Sequence, residues 1–160
     1  MLSRPRKMKT VLIGSSNVYR FLKLIKKETQ NSVNLQKCTK VSGFLVHMEN
    51  LEESDEHVVI TVIENFMCDA VGDTTVQSEI ERIIGEVLDA FVETVMRTSM
   101  RLPKTKFVLI EPMARIAVPW YTDGLSAITT EYSKRLYGLQ LPGISVVKRC
   151  DLPKQVWQSN

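Results

Sequence analysis

"HVVITVI", residues 57–63, is the stretch on which the fold turns. Six of its seven residues are β-branched, which favours an extended backbone over a helix. A strand with one wet face would alternate apolar and polar residues. This one is continuously apolar, as expected of a central strand buried on both faces of a parallel sheet. Parallel neighbours need long crossover connections, usually helices, so helical segments should lie on both sides of it in the chain.

Working outward, they do. Upstream, residues 10–13 form a short apolar run closed by Gly14, consistent with a buried strand. Residues 17–28 place Val18, Phe21, Leu22 and Ile25 at helical spacing, with lysines on the other face. Residues 33–38 alternate and read as a half-buried or edge strand, and residues 44–51 as a short helical segment. Downstream, residues 76–100 carry the strongest helical stripe, through Ile80, Ile84, Leu88, Phe91 and Val95. Residues 107–110 are a fourth strand ended by Glu111 and Pro112, and residues 125–139 a helix. Residues 144–147 are a last strand behind a Pro142-Gly143 turn. Five strands with helices between them imply an α/β sandwich around a mainly parallel sheet, with right-handed crossovers.

The chain has 160 residues, 44% of them hydrophobic and 24% charged, which suits one domain over residues 1–160 with a flexible basic N-terminus at residues 1–8. Its apolar runs are too short to cross a bilayer, and no apolar segment follows the first basic residues as a secretion signal would require. Cys38, Cys68 and Cys150 are odd in number and lack metal-type spacing. That usage points to reduced thiols in an intracellular setting, cytoplasmic or nuclear, and to no metal. Neither a G-x-G-x-x-G nor a Walker-type motif is present, so no cofactor is expected. The net charge is +3, with basic clusters at Arg4, Arg6, Lys7 and Lys9 and at Arg20, Lys23, Lys26 and Lys27. These fit either a nucleic-acid surface or a frayed terminus and a solvated helix face.

In parallel α/β sheets, ligands gather beyond the carboxyl ends of the strands. The first such end is Gly14-Ser15-Ser16-Asn17. A serine on a strand-to-helix turn can expose its hydroxyl near the positive end of the helix dipole. The same residues can serve as a helix N-cap, and the motif alone leaves both readings open. The second end carries Gly43, whose backbone N–H could meet an anion or whose freedom could simply turn the chain. The third carries Asn65, whose side-chain amide could donate to an oxyanion or cap a loop.

A serine after the first strand, a glycine after the second and an asparagine after the third together resemble the SGNH, or GDSL-type, hydrolase family. The resemblance implies a flavodoxin-like, five-stranded α/β/α three-layer sandwich and a carboxylic-ester hydrolase. It implies Ser16 as nucleophile, with its own N–H, the Gly43 N–H and the Asn65 amide forming the oxyanion hole. The texture of "VLIGSSN", "VVITVIEN" and "VLIEPMAR…PWY" is similar to the esterase-like domain of some retrotransposon first-open-reading-frame proteins. Ser15, Ile63 and Phe66 depart from the family pattern, standing where it has aspartate, glycine and aspartate. Ile63 and Phe66 would alter the pocket floor.

A serine nucleophile needs a base. The family's Asp-x-x-His follows the last strand, and here "DLPKQVWQSN", residues 151–160, holds no histidine. His47 follows the second-strand glycine, whereas His57 opens the third strand at its far end. Asp123-Gly124-Leu125-Ser126 mimics the motif with serine for histidine, but a helix and a strand follow it. The resemblance therefore leaves two expectations. Either the chain is truncated before an Asp-x-x-His segment beyond Asn160, or the domain is a pseudoenzyme that keeps the fold and binds a protein or nucleic-acid partner. A nucleotide-binding use of residues 14–17 as a phosphate turn ranks last. Arg115, Trp120 and Tyr121, after the fourth strand, form a substrate or partner loop in one reading. In the other, the aromatics pack the next helix while Arg115 pairs with Glu64 or Glu111.

Overall fold

Parallel strands feed every crossover of the chain back onto one sheet. The computed structural model describes residues 9–15, 22–23, 32–113, 118–138 and 141–148. Strands β1 (Lys9–Gly14), β2 (Val33–Lys37), β3 (Asp55–Thr61), β4 (Lys106–Ile110) and β5 (Ile144–Val147) pair in the order β2-β1-β3-β4-β5, all parallel. That is the flavodoxin-like order, and with flanking helices it makes the three-layer α/β sandwich. Residues 57–61 of the apolar run lie in the central strand, as expected. β2 and β5 are the edges, both partly buried, and β2 matches the half-buried or edge strand expected from its alternating sequence.

Four described helices follow: α1 (Val41–Glu49), α2 (Ile63–Val71), α3 (Gln77–Arg101) and α4 (Pro119–Tyr137). Side chains of β1, β3 and β4 alternate between the two faces of the sheet. Val11, Ile13, Val58, Ile60, Phe107 and Leu109 share the face on which all four helices pack, in one buried cluster. A chain of aromatic rings ties those helices together. Phe66 of α2 meets Phe44 of α1 at 5.4 Å, Phe44 stacks on Phe91 of α3 at 5.3 Å, and Phe91 meets Tyr132 of α4 at 5.8 Å. On the opposite face Ile110 and Met113 gather a smaller cluster with Val59, Val108 and Val147. The helix expected over residues 17–28 lies outside the described residues except for Leu22 and Lys23, which are helical.

Three boundaries differ from expectation, and each has a physical cause. β3 stops at Thr61, because Val62 (φ −137°, ψ −14°) leaves the extended region and caps α2. The apolar run continues past this change of period because Ile63, Phe66 and Met67 bury the new helix in the same core. α1 starts at Val41 rather than at Phe44, with Gly43 in its first turn; Val41, Phe44 and Met48 form its core-facing stripe. α4 starts at Pro119, six residues before the expected Leu125, with proline in its favoured first-turn position. Gly143, at φ +86°, makes the expected turn into β5.

No helix among the described residues is long and apolar enough to cross a membrane.

Candidate active site

In a 2-1-3-4-5 sheet the chain's direction of travel reverses at β1, so a crevice opens outside the carboxyl ends of β1 and β3. Parallel register aligns those ends. Gly14 lies beside Lys37 of β2 and Thr61 of β3, and the Gly14 carbonyl accepts the Cys38 N–H at 2.7 Å. Ser15, immediately after, is buried. Ser16 and Asn17 follow it outside the described residues, as does Arg115.

Two helices begin at this edge, and neither N-cap residue, Lys40 of α1 or Val62 of α2, caps with a side chain. The positive end of each helix dipole therefore lies at that edge. Gly43 stands in the first turn of α1. The first bond of that helix comes from the next residue, Phe44, whose N–H donates to the Lys40 carbonyl at 3.1 Å. A Cβ added at Gly43 would sit 3.6 Å from the Cys38 sulfur, an ordinary contact, so no described neighbour demands a glycine there. Asn65 holds the equivalent place in α2, partly buried, with its N–H donating to the Val62 carbonyl at 3.0 Å. It is a helical residue rather than a loop residue. Thus the structure brings the Gly14-Ser15 turn, Gly43 and Asn65 to one edge of the sheet.

Ile63 and Phe66 turn into the helix-covered core, so neither forms a pocket floor as the sequence had suggested. Trp120 and Tyr121 belong to the first turn of α4 rather than to a loop. Tyr121 is fully buried, its hydroxyl donating to the Met113 carbonyl at 2.6 Å, and Trp120 packs edge-on against it.

The histidines lie away from the β1 turn. His57 opens the inward part of β3 beside Thr10 and Lys106, at the amino half of the strand. His47 Nε2 lies 3.3 Å from the Lys37 carbonyl. Because the Cys38 N–H faces β1, strand alternation turns the Lys37 carbonyl outward, which puts His47 beyond the edge strand. Asp123 and Ser126 are on the exposed side of α4.

Glu64, in the first turn of α2, is the feature the sequence reading passed over except as a partner for Arg115. It is only 3% exposed, and it is the only charged residue among the buried ones described. Three other buried polar side chains have local explanations: Thr98 donates to Thr94, Ser99 to Met96 and Thr105 to Asp55, each to a carbonyl. Ser15, Thr61 and Glu64, each of which has a partner as well, lie at the carboxyl edge. A signal was present in the sequence, an acid set directly behind a continuous apolar strand. Burial pushes the Tyr132 hydroxyl well above its ordinary range, with the carboxylates of Glu64 and then Glu111 adding to the effect. That hydroxyl donates to the Ile110 carbonyl at 3.2 Å. Burial likewise raises the Cys38 thiol, against a smaller opposing effect of its bond to the Lys40 carbonyl. Among the described residues no three metal-binding side chains stand together.

No family model matches the chain, and no curated protein matches its sequence. Among solved structures it is similar to one described as a "putative platelet activating factor" from Streptococcus pneumonia. The identity is 11% and the TM-score 0.61, over 96% of this chain and 72% of that one. At that identity the likeness concerns the fold.

Proposed function

We propose that this domain is an SGNH-type carboxylic-ester hydrolase with Ser16 as its nucleophile. The observation that carries the reading is the convergence of the Gly14-Ser15 turn with the N-termini of α1 and α2 at the β1/β3 crevice. Such a site suits a reaction in which negative charge develops on a carbonyl oxygen. Ser16 Oγ attacks the ester carbonyl, and the resulting oxyanion is met by the N–H groups of Ser16 and Gly43 and by the Asn65 amide. The alkoxide leaves, and water then releases the acid from acyl-Ser16. The likeness in fold to the streptococcal protein supports the architecture on which this chemistry is read. In the family pattern the base is the histidine of an Asp-x-x-His segment, which in this reading follows Asn160.

Hydrolysis of p-nitrophenyl acetate by a longer chain, compared with its Ser16→Ala form, tests the proposal. Loss of the serine should cost about 10³-fold or more in kcat. Equal rates in the two proteins would remove Ser16 from the mechanism.

A second reading is favoured by the placement of both histidines away from the β1 turn. In it the domain keeps the SGNH-like fold without catalysis and binds a nucleic-acid or protein partner. Its nucleic-acid form requires binding to single-stranded RNA that weakens steeply with salt. No binding at low salt would leave only a protein partner.

A further inference from the structure

Helix α1 is apolar on more sides than the core needs. Val41, Phe44 and Met48 form its core-facing stripe, yet Leu45 and Val46 are 40% and 54% exposed. Apolar residues on the outer side of a short helix leave that side without a partner. A groove runs beside it. Leu45 and Met48 of α1 and Thr94 and Thr98 of α3 line a cavity of about 250 Å³ between the two helices. Both threonine hydroxyls donate back into their own helix, to the Ala90 and Thr94 carbonyls, so this wall calls for no polar ligand. The space suits aliphatic side chains.

The rim carries both signs of charge. Glu49 stands on the α1 side, and Arg97 and Arg101 stand on the α3 side. Among the described residues Glu49 has no ion-pair partner. Arg101 spends its donors on the Met48 and Leu51 carbonyls, so its charge meets no carboxylate. Arg97 holds Glu93 one turn back, an exposed pair of little net worth that leaves further guanidinium N–H groups to a second acid. Glu49 and Glu93 balance Arg97 and Arg101, so this face is neutral on a chain of net charge +3. A strongly acidic or basic partner would meet like charge here. A second copy, turned about a two-fold axis, would meet opposite charge on both sides.

We propose that the α1–α3 face is a homodimer interface, with α1 of each copy seated on the groove of the other. Leu45 and Val46 cover the apolar walls, and Glu49 of each copy meets Arg97 of the other, each pair being made twice by the symmetry. The inference is independent of the ester-hydrolase reading, because none of the proposed site residues lines the groove.

The test is sedimentation velocity of the 160-residue protein from about 10 to about 300 µM, with circular dichroism to confirm folding. The mass should climb with concentration toward twice 18.2 kDa. Val46→Glu should weaken association at least about tenfold, and so should Glu49→Arg and Arg97→Glu, each of which sets like charges across the axis. Mixing the Glu49→Arg and Arg97→Glu proteins should restore dimers, because each supplies the charge that the other lacks. Both reversals fall on exposed positions and decide the matter should Val46→Glu not fold. A wild-type chain still monomeric at about 300 µM would overturn the proposal and leave the groove to an unlike partner. Dimers that survive all three substitutions, or charge reversals that mixing does not rescue, would overturn it as well.

Discussion

Cys38 and Tyr132 show how single residues report on this edge of the sheet. The Cys38 thiol is held up by burial, so little thiolate exists near neutral pH. Iodoacetamide at pH 8 should leave Cys38 unmodified in the native protein for far longer than free cysteine, and should modify it at once in urea. Rapid native labelling would place the thiol in the solvent. Tyr132 gives a pH dependence with a definite sign. Its hydroxyl is raised well above 10 in the folded state, so its contribution is complete below about pH 10, the unfolded value, and fades as pH rises beyond it. Tyr132→Phe should cost about 1 kcal/mol at pH 8, through the lost bond to the Ile110 carbonyl. The gap between the two proteins should narrow by pH 11, as read from urea midpoints. At this scale the sequence was only partly legible. Gly43 and Asn65 stood out by residue type at strand ends, whereas Glu64 did not, because a charge next to an apolar run looks like a surface residue until tertiary packing buries it.

Elements were more legible than their limits. Strands declared themselves through continuous β-branched runs, and α3 through its long stripe, because periodicity accumulates over many residues. Boundaries blurred where apolar side chains served two periods in succession, as from Thr61 into Ile63, or where a glycine stood inside a helix, as in α1. Gly43 allows a direct check of the second case. Its added Cβ would make an ordinary contact with Cys38, so Gly43→Ala should raise the urea midpoint, by about 0.5 kcal/mol in stability. A loss instead would mean that the first turn of α1 is not helical around Gly43. α1 is also held from its other end, where Arg101 of α3 donates to the Met48 and Leu51 carbonyls at 2.8 and 3.0 Å. Arg101→Met should release both carbonyls and cost about 1–3 kcal/mol.

For the whole molecule, the order β2-β1-β3-β4-β5 does the positioning. It sends α1, α2, α3 and α4 to one face and gathers the β1 turn with two helix N-termini at one edge. Phe91, between Phe44 and Tyr132 in the aromatic chain, joins three of those helices. Phe91→Ala should cost about 3–5 kcal/mol and loosen the face that carries the site. The central claim, however, is chemical: the turn after β1 presents an activated serine. A fluorophosphonate, which captures activated serines as a stable adduct, tests it most directly when followed by peptide mass mapping. The account predicts one adduct per chain in the longer protein, on Ser16, and none in its Ser16→Ala form. A folded protein that forms no adduct, or forms it equally in Ser16→Ala, would contradict the account.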